Sequence, residues 1–187
     1  ITVDRPSSNE AAIKYFLLAS FASALMLFGI SITYGLTGTT SFSGVAASIA
    51  ERGLADDPLQ LAALALIAAG LAFKIGAVPF HSWVPDAYQG ASTPVAAFLA
   101  SGSKAAGLAA LGRVVVIAFG PDSPALSIIL VGLAALSVAV GSVLVLAQTD
   151  MKRLLAYSSI AHVGYAVMGL TAGTDAGASA TMTYAFF

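Results

Sequence analysis

The chain has 187 residues, of which 58% are hydrophobic and only 9% charged, and its net charge is −1. Soluble domains carry about a quarter charged residues, so this composition, with a mean hydropathy of +0.91, defines an integral membrane protein. The charge balance excludes a nucleic-acid partner and a polybasic lipid anchor, and the absence of cysteine excludes disulfides and thiolate-held iron–sulfur clusters.

Two histidines are too few for a haem or metal site, so neither a metal nor a redox centre is expected in this chain. Residues 1–9 read as a polar connector in which Pro6, Ser7, Ser8 and Asn9 mark a helix start. A first span follows over about 10–36, long enough to cross an apolar layer of about 30 Å at about 1.5 Å per residue. Glu10 and Lys14 stand i, i+4 in its first turn, the favourable order for a helical ion pair. Residues 37–58 form a polar, partly amphipathic connector whose charges, Glu51, Arg52, Asp56 and Asp57, gather before the next span.

The second span covers about 59–78 and carries Lys74 in its later half. Pro79 then removes a backbone donor and pushes away the Ile75 carbonyl. Such freed groups survive in a membrane only inside protein or beside a wet cavity, which makes this a candidate discontinuous helix of the kind that builds ion sites. His81 is i+7 from Lys74 and shares its face if the helix resumes. Residues 83–93 read as a loop holding Trp83 and Tyr88 as interfacial aromatics, with Asp86 fixing the loop by accepting backbone N–H bonds. Ser92 or Thr93 caps the third span, and Pro94 opens it.

The third span, about 94–119, places Lys104 some ten residues in, near the midplane. A lysine there costs roughly 2.5–3.5 kcal/mol on insertion scales, so its side chain is expected to face the interior, with Ser101 and Gly107 beside it. After a turn at 120–124 the fourth span, about 125–147, reads as plain packing. The short basic connector 148–153 leads to a fifth span over about 154–172. Ser158, His162 and Tyr165 form a polar stripe on it at i, i+4 and i+7. A sixth span, 178–187, stops inside an apolar run, and the chain starts without methionine. Residues 1–187 are therefore expected to be one membrane domain that is a piece of a longer polypeptide.

Arg5, Lys14, Lys152 and Arg153 fall on one side, against Arg52 and Arg113 on the other. The positive-inside rule puts the 83–93 and 148–153 loops in the cytoplasm. Burial lowers a lysine's pKa and a nearby acid raises it again, so Lys74 and Lys104 suit switchable proton carriage. Histidine as a residue type suits a relay between them, which makes His162, and secondarily His81, candidates. A structural role for each of these four residues is the competing reading.

FKIGAVPFHSWVPDAYQGASTPVAAFLASGSKAAG over 73–107, QTDMKRLLAYSSIAHVGY over 148–165 and EAAIKYFLL over 10–18 carry a family likeness. Together they resemble the antiporter-like, proton-translocating subunits of respiratory complex I and of Mrp-type antiporters. Ser103-Lys104 and EAAIKY favour the N-type members, called subunit 2 in organelles. The resemblance implies an all-α integral membrane fold, a multi-helix bundle with a discontinuous helix that forms part of an inverted-repeat architecture. It makes Lys74 the lysine beside the first broken helix, Lys104 the connecting lysine on the next helix, and His162 a polar position on the central axis.

It further implies a subunit of an NADH:quinone oxidoreductase that does no redox chemistry itself. NADH, FMN, iron–sulfur clusters and quinone would lie in partner subunits, and the partners would be neighbouring antiporter-like and quinone-module subunits, the bilayer and protons. The acid that pairs with the first lysine would precede residue 1, and the second broken helix would follow residue 187. The membrane would be a prokaryotic plasma membrane or an organellar energy-transducing membrane. Alternatives are a subunit of a Mrp-type Na⁺/H⁺ antiporter or membrane-bound hydrogenase, or a non-conducting structural subunit.

Overall fold

A computed structural model describes residues 6–119 and 123–186. The expectations placed on residues 1–5, on 120–122 and on 187, including Arg5 of the charge count, lie outside the described residues. The described residues form helices and no strand. They are α1 (Pro6–Thr37), α2 (Phe42–Arg52), α3 (Pro58–Ile75), α4 (Trp83–Gly90), α5 (Thr93–Ala100), α6 (Gly102–Arg113), α7 (Pro124–Val145), α8 (Met151–Thr171) and α9 (Asp175–Phe186). Five stretches are long and apolar enough to cross a membrane: Ser8–Thr37, Pro58–Ile75, Thr93–Ala118, Pro124–Val145 and Met151–Thr171.

Side-chain caps start three of the spans. The Asp57 carboxylate accepts from Leu59 and Gln60 N–H at 2.9 and 3.1 Å, ahead of Pro58 in the first turn. Ser123 does the same for Leu126 N–H, and Asp150 for Arg153 N–H. Each satisfies a donor that the first helical turn leaves free. Packing then pairs α1 with α3 and α7 with α8, while α4 lies between α1 and α8 and α6 lies against α3 and α9. The core runs between α3, α6, α7 and α8, with Leu64, Ile75, Leu111, Leu130 and Val167 fully enclosed. Large apolar side chains such as Phe16, Phe21, Ile128 and Leu146 point outward, a surface suited to lipid or to neighbouring helices.

The helix break sits earlier than Pro79. Gly76 takes a left-handed conformation (φ 73°), and its N–H and that of Ala77 return to the Phe73 and Ala72 carbonyls at 3.0 and 2.8 Å. This paired closure needs a residue without a Cβ penalty at positive φ, so glycine ends α3 three residues before the position that proline alone predicts. Val78–Pro79 is a cis peptide bond.

The chain becomes helical again at Trp83, and the stretch read as a loop is α4 over Trp83–Gly90. Pro85 is its third residue, inside the first turn where no backbone donor is needed. Because residues 76–82 are non-helical, His81 does not continue the Lys74 face. Trp83 and Tyr88 are buried rather than interfacial. Trp83 stacks among Tyr15 and Phe73 and donates its indole N–H to the Phe73 carbonyl at 3.0 Å.

The connector before α3 holds α2, eleven residues long. The third span is not one regular helix: its backbone leaves helical geometry at Ser101 (φ −107°, ψ −80°) and widens to a π-helical turn at Val114–Ala118. Nor is α7 featureless. Its Ser137 is wholly buried and its hydroxyl accepts the Val78 N–H at 2.9 Å, supplying the partner that the break withholds.

Candidate functional site: a buried lysine at the helix break

Lys104 is the third residue of α6, one turn beyond the irregularity at Ser101. Its side chain is only 5% exposed. Nζ donates to the Ser159 hydroxyl on α8 and lies 5.8 Å from the centre of the Tyr88 ring on α4. A Cβ at Gly76 would sit 3.9 Å from the same nitrogen, so the ammonium reaches the point where α3 stops. Among the described residues no carboxylate comes within ion-pair distance of it. A buried charge without a counter-ion is costly, and the hydroxyl and the ring face are what the protein offers it.

Tyr88 is 4% exposed, and its hydroxyl is buried beside Ser159 without satisfying a hydrogen bond. Helix approach makes this enclosure possible. Gly107, one turn past Lys104, would place a Cβ 2.6 Å from the Ile75 side chain, so any larger residue would push α6 off α3.

On its other side Lys104 faces a cavity of about 420 Å³ lined by Ser101, Ser159, His162 and Tyr184 as well as apolar groups. His162 Nδ1 shares a hydrogen bond of 2.7 Å with the Tyr184 hydroxyl of α9. Lys104 and His162 thus open onto one space.

The other candidates are placed differently. Lys74 is exposed on the outer surface of the described chain, its stem lying along α6 at Gly107. His81 lies in the break, half-buried, with Nδ1 lacking a hydrogen-bond partner. Of the polar stripe on α8, His162 lines the cavity and Ser158 does not; the cavity serine is its neighbour Ser159. Tyr165 stands edge-on to His162 and outside the cavity lining. Ser159, Tyr184 and Ser137 carry no sequence signal beyond being polar in apolar helices.

Asp86 does not hold backbone. Its carboxylate bridges Lys14 of α1 at 3.0 Å and Arg153 of α8 at 2.7 Å, with Glu10 on Lys14 at 2.6 Å. Burial alone would raise the Asp86 carboxyl, but the hydrogen bonds from Arg153 and Lys14 outweigh it and hold the group below its ordinary value. Gln89 accepts from Arg153, and Lys152 donates to the Ala91 carbonyl at 2.8 Å. One end of the bundle is thereby tied together by charge.

Five apolar spans, a helix interrupted within the bundle and a lysine buried at the interruption define a multi-pass integral membrane protein built around an internal charge. The chain belongs to the family described as NADH:quinone oxidoreductase/Mrp antiporter, transmembrane, which it matches over residues 1–187. It is 51% identical over 183 residues to NADH-quinone oxidoreductase subunit N of Desulfovibrio desulfuricans, covering 96% of this chain and 36% of that protein. It is 50% identical over 180 residues to NAD(P)H-quinone oxidoreductase subunit 2 of Microcystis aeruginosa, covering 96% and 35%.

Among solved structures it resembles a chain of respiratory complex I from Thermus thermophilus (TM-score 0.80, 43% identity, 98% of this chain and 39% of that one). It also resembles a chain of the Mrp complex from Dietzia sp. DQ12-45-1b (TM-score 0.85, 25% identity, 96% and 33%). The chain spans about a third of the length of the curated relatives it matches.

Proposed function

We propose that this chain is part of a membrane-arm subunit of a complex I-like NADH:quinone oxidoreductase and that it helps to move protons across the membrane. The observation that carries this reading is Lys104: buried, without a carboxylate partner among the described residues, and open to the cavity that holds His162. Such a lysine binds a proton when a stimulus stabilises its charge and gives it up when the stimulus is withdrawn.

Lys74 is the upstream carrier in this reading. Its exposed side chain is available to an acidic group on a neighbouring helix of the longer subunit. Protons pass from Lys74 to Lys104 and on toward His162, while His81 takes a lesser part at the break. Electrons do not enter the chain: NADH, FMN, iron–sulfur clusters and quinone belong to partner subunits, and redox energy arrives as conformational or electrostatic change. The α4 and α8 ends, with their cluster of Lys14, Lys152 and Arg153, face the cytoplasm.

The likeness to an Mrp complex supports a second reading, a cation/proton antiporter subunit with the same lysine path. A purely structural subunit is the third.

The test substitutes Lys104→Ala in the full-length subunit within its complex, and follows proton uptake into sealed vesicles together with quinone reduction. Normal assembly with proton uptake reduced by about tenfold or more, the scale of a lost proton-transfer group, is expected. Unchanged uptake per electron makes Lys104 structural and ends this reading.

A further inference from the structure

Lys104 itself lines the cavity, and the side chain bonded to its nitrogen is that of Ser159. Tyr88 presents its ring face and Gly76 presents no side chain, while Ser101 lines the cavity without a bond to Nζ. Among the described residues only the Ser159 hydroxyl both bonds Nζ and lines the cavity that contains His162 and Tyr184. A hydroxyl is donor and acceptor at once. It can therefore accept a proton on one side while releasing its own on the other, which neither an apolar group nor a fixed donor can do.

We infer that Ser159 is the group that passes the Lys104 proton into this cavity, a role that rests on the proton-carrying reading given above. In the step, an N–H bond of the ammonium breaks as its proton forms a bond to Ser159 Oγ. The serine's original O–H bond breaks as that proton passes to cavity water or to the imidazole of His162. A neutral amine, an intact serine and a proton displaced toward α9 remain, and no electron moves. The cavity, about 420 Å³ with several polar groups on its wall, has the size and partners that water needs. The hydrogen bond between His162 Nδ1 and Tyr184 carries the path to the edge of the described chain.

Tyr88 acts as a positioning residue. With its ring under the ammonium and its hydroxyl beside Ser159, it keeps the lysine aimed at the serine. Ser158, one position earlier, points elsewhere by about 100° around the helix and takes no part.

The decisive comparison is Ser159→Thr against Ser159→Val, nearly equal in shape and different in the hydroxyl. Both are made in the full-length subunit, in the assembled complex, beside Lys104→Ala. Proton uptake per electron is read in sealed vesicles after subunit content has been verified.

The inference expects the Ser159→Thr variant to retain uptake near wild type and the Ser159→Val variant to lose it by about tenfold or more. Equal uptake in the two overturns it. If the branched side chains impair assembly, Ser159→Ala decides instead, with retained uptake overturning the inference and lost uptake upholding it. Should Lys104→Ala pump normally, the lysine reading itself fails. Should Lys104→Ala fail to pump while Ser159→Val pumps, the serine step alone is wrong.

Discussion

At Lys104 a titratable amine occupies a site that is 5% exposed, and the nearest compensations for its charged form are one hydroxyl and one aromatic face. A ring face contributes about 0.5–2 kcal/mol to a cation, and a hydrogen bond involving a charged group about 1.5–3 kcal/mol. Neither matches a buried carboxylate, so the ammonium is left under-compensated. Asp86 shows the opposite arrangement, a carboxylate between two cations.

Its pKa is held below the ordinary value of 3.8, so the stability it contributes is fully present above that pH and disappears as the pH falls through the lower folded value. Asp86→Asn is expected to lower thermal stability at neutral pH, with the Arg153 pair contributing about 0.2–1 kcal/mol. The difference from wild type should shrink below pH 3.8 and vanish once the folded value is passed. A difference that persists in stronger acid would place the effect in packing rather than charge.

Lys104 is legible in the sequence because a charge in the middle of an apolar run has few ways to be tolerated. Ser159 is not, since Ser158 and Ser159 are equivalent in sequence and only the docking of α8 against α4 and α6 separates them.

For single elements the informative case is the interrupted helix. Proline chemistry locates a break near residue 79, but the end of α3 is fixed by Gly76 and its two returning hydrogen bonds. The missing donor of Pro79 is visible in the sequence, whereas the glycine closure three residues earlier depends on a left-handed backbone that glycine permits but does not dictate. Pro85 likewise suggests a loop, although a first helical turn accommodates proline.

The partners that satisfy the break come from distant chain: the Trp83 indole, ten residues on from the Phe73 carbonyl it bonds, and the Ser137 hydroxyl on α7. No local pattern announces such partners. Ser137→Ala is expected to leave the Val78 N–H buried and unpaired, at a cost of about 1–3 kcal/mol. Thermal unfolding of the purified complex containing the variant reads this cost as a lower midpoint, and an unchanged midpoint would show that the bond is replaced.

For the whole molecule, the apolar runs mark the spans and the sequence motifs mark the family, because both depend on composition and local order. Which lysine ends inside does not follow from them. Lys74 and Lys104 stand in similar apolar surroundings in sequence, yet the described residues leave Lys74 uncovered and enclose Lys104, since α6 is pressed between α3 and α9.

The charged ends of the bundle also differ: Lys14, Lys152 and Arg153 gather at one, and the acidic Asp56 and Asp57 stand near the start of α3 at the other. Gln89→Cys and Asp56→Cys, each made singly in a full-length subunit freed of any other cysteine, are expected to react with an impermeant maleimide from opposite sides of sealed membranes. Gln89 should react from the cytoplasm. Labelling of both from one side would contradict the five-span arrangement.

The eight-residue helix α4 is flanked by non-helical backbone at its N-terminal end and by Ala91 in extended conformation at its C-terminal end, and is about 12 Å long. Asp86 and Tyr88 lie two residues apart on it, about 200° around its axis. One therefore grips the cations of α1 and α8 while the other lies under Lys104. Because both side chains sit on one short helix, a rotation of α4 that drew the carboxylate away from Arg153 would also move the Tyr88 ring relative to the Lys104 nitrogen. The ion-pair cluster and the enclosed lysine are thus joined through a single turn of helix.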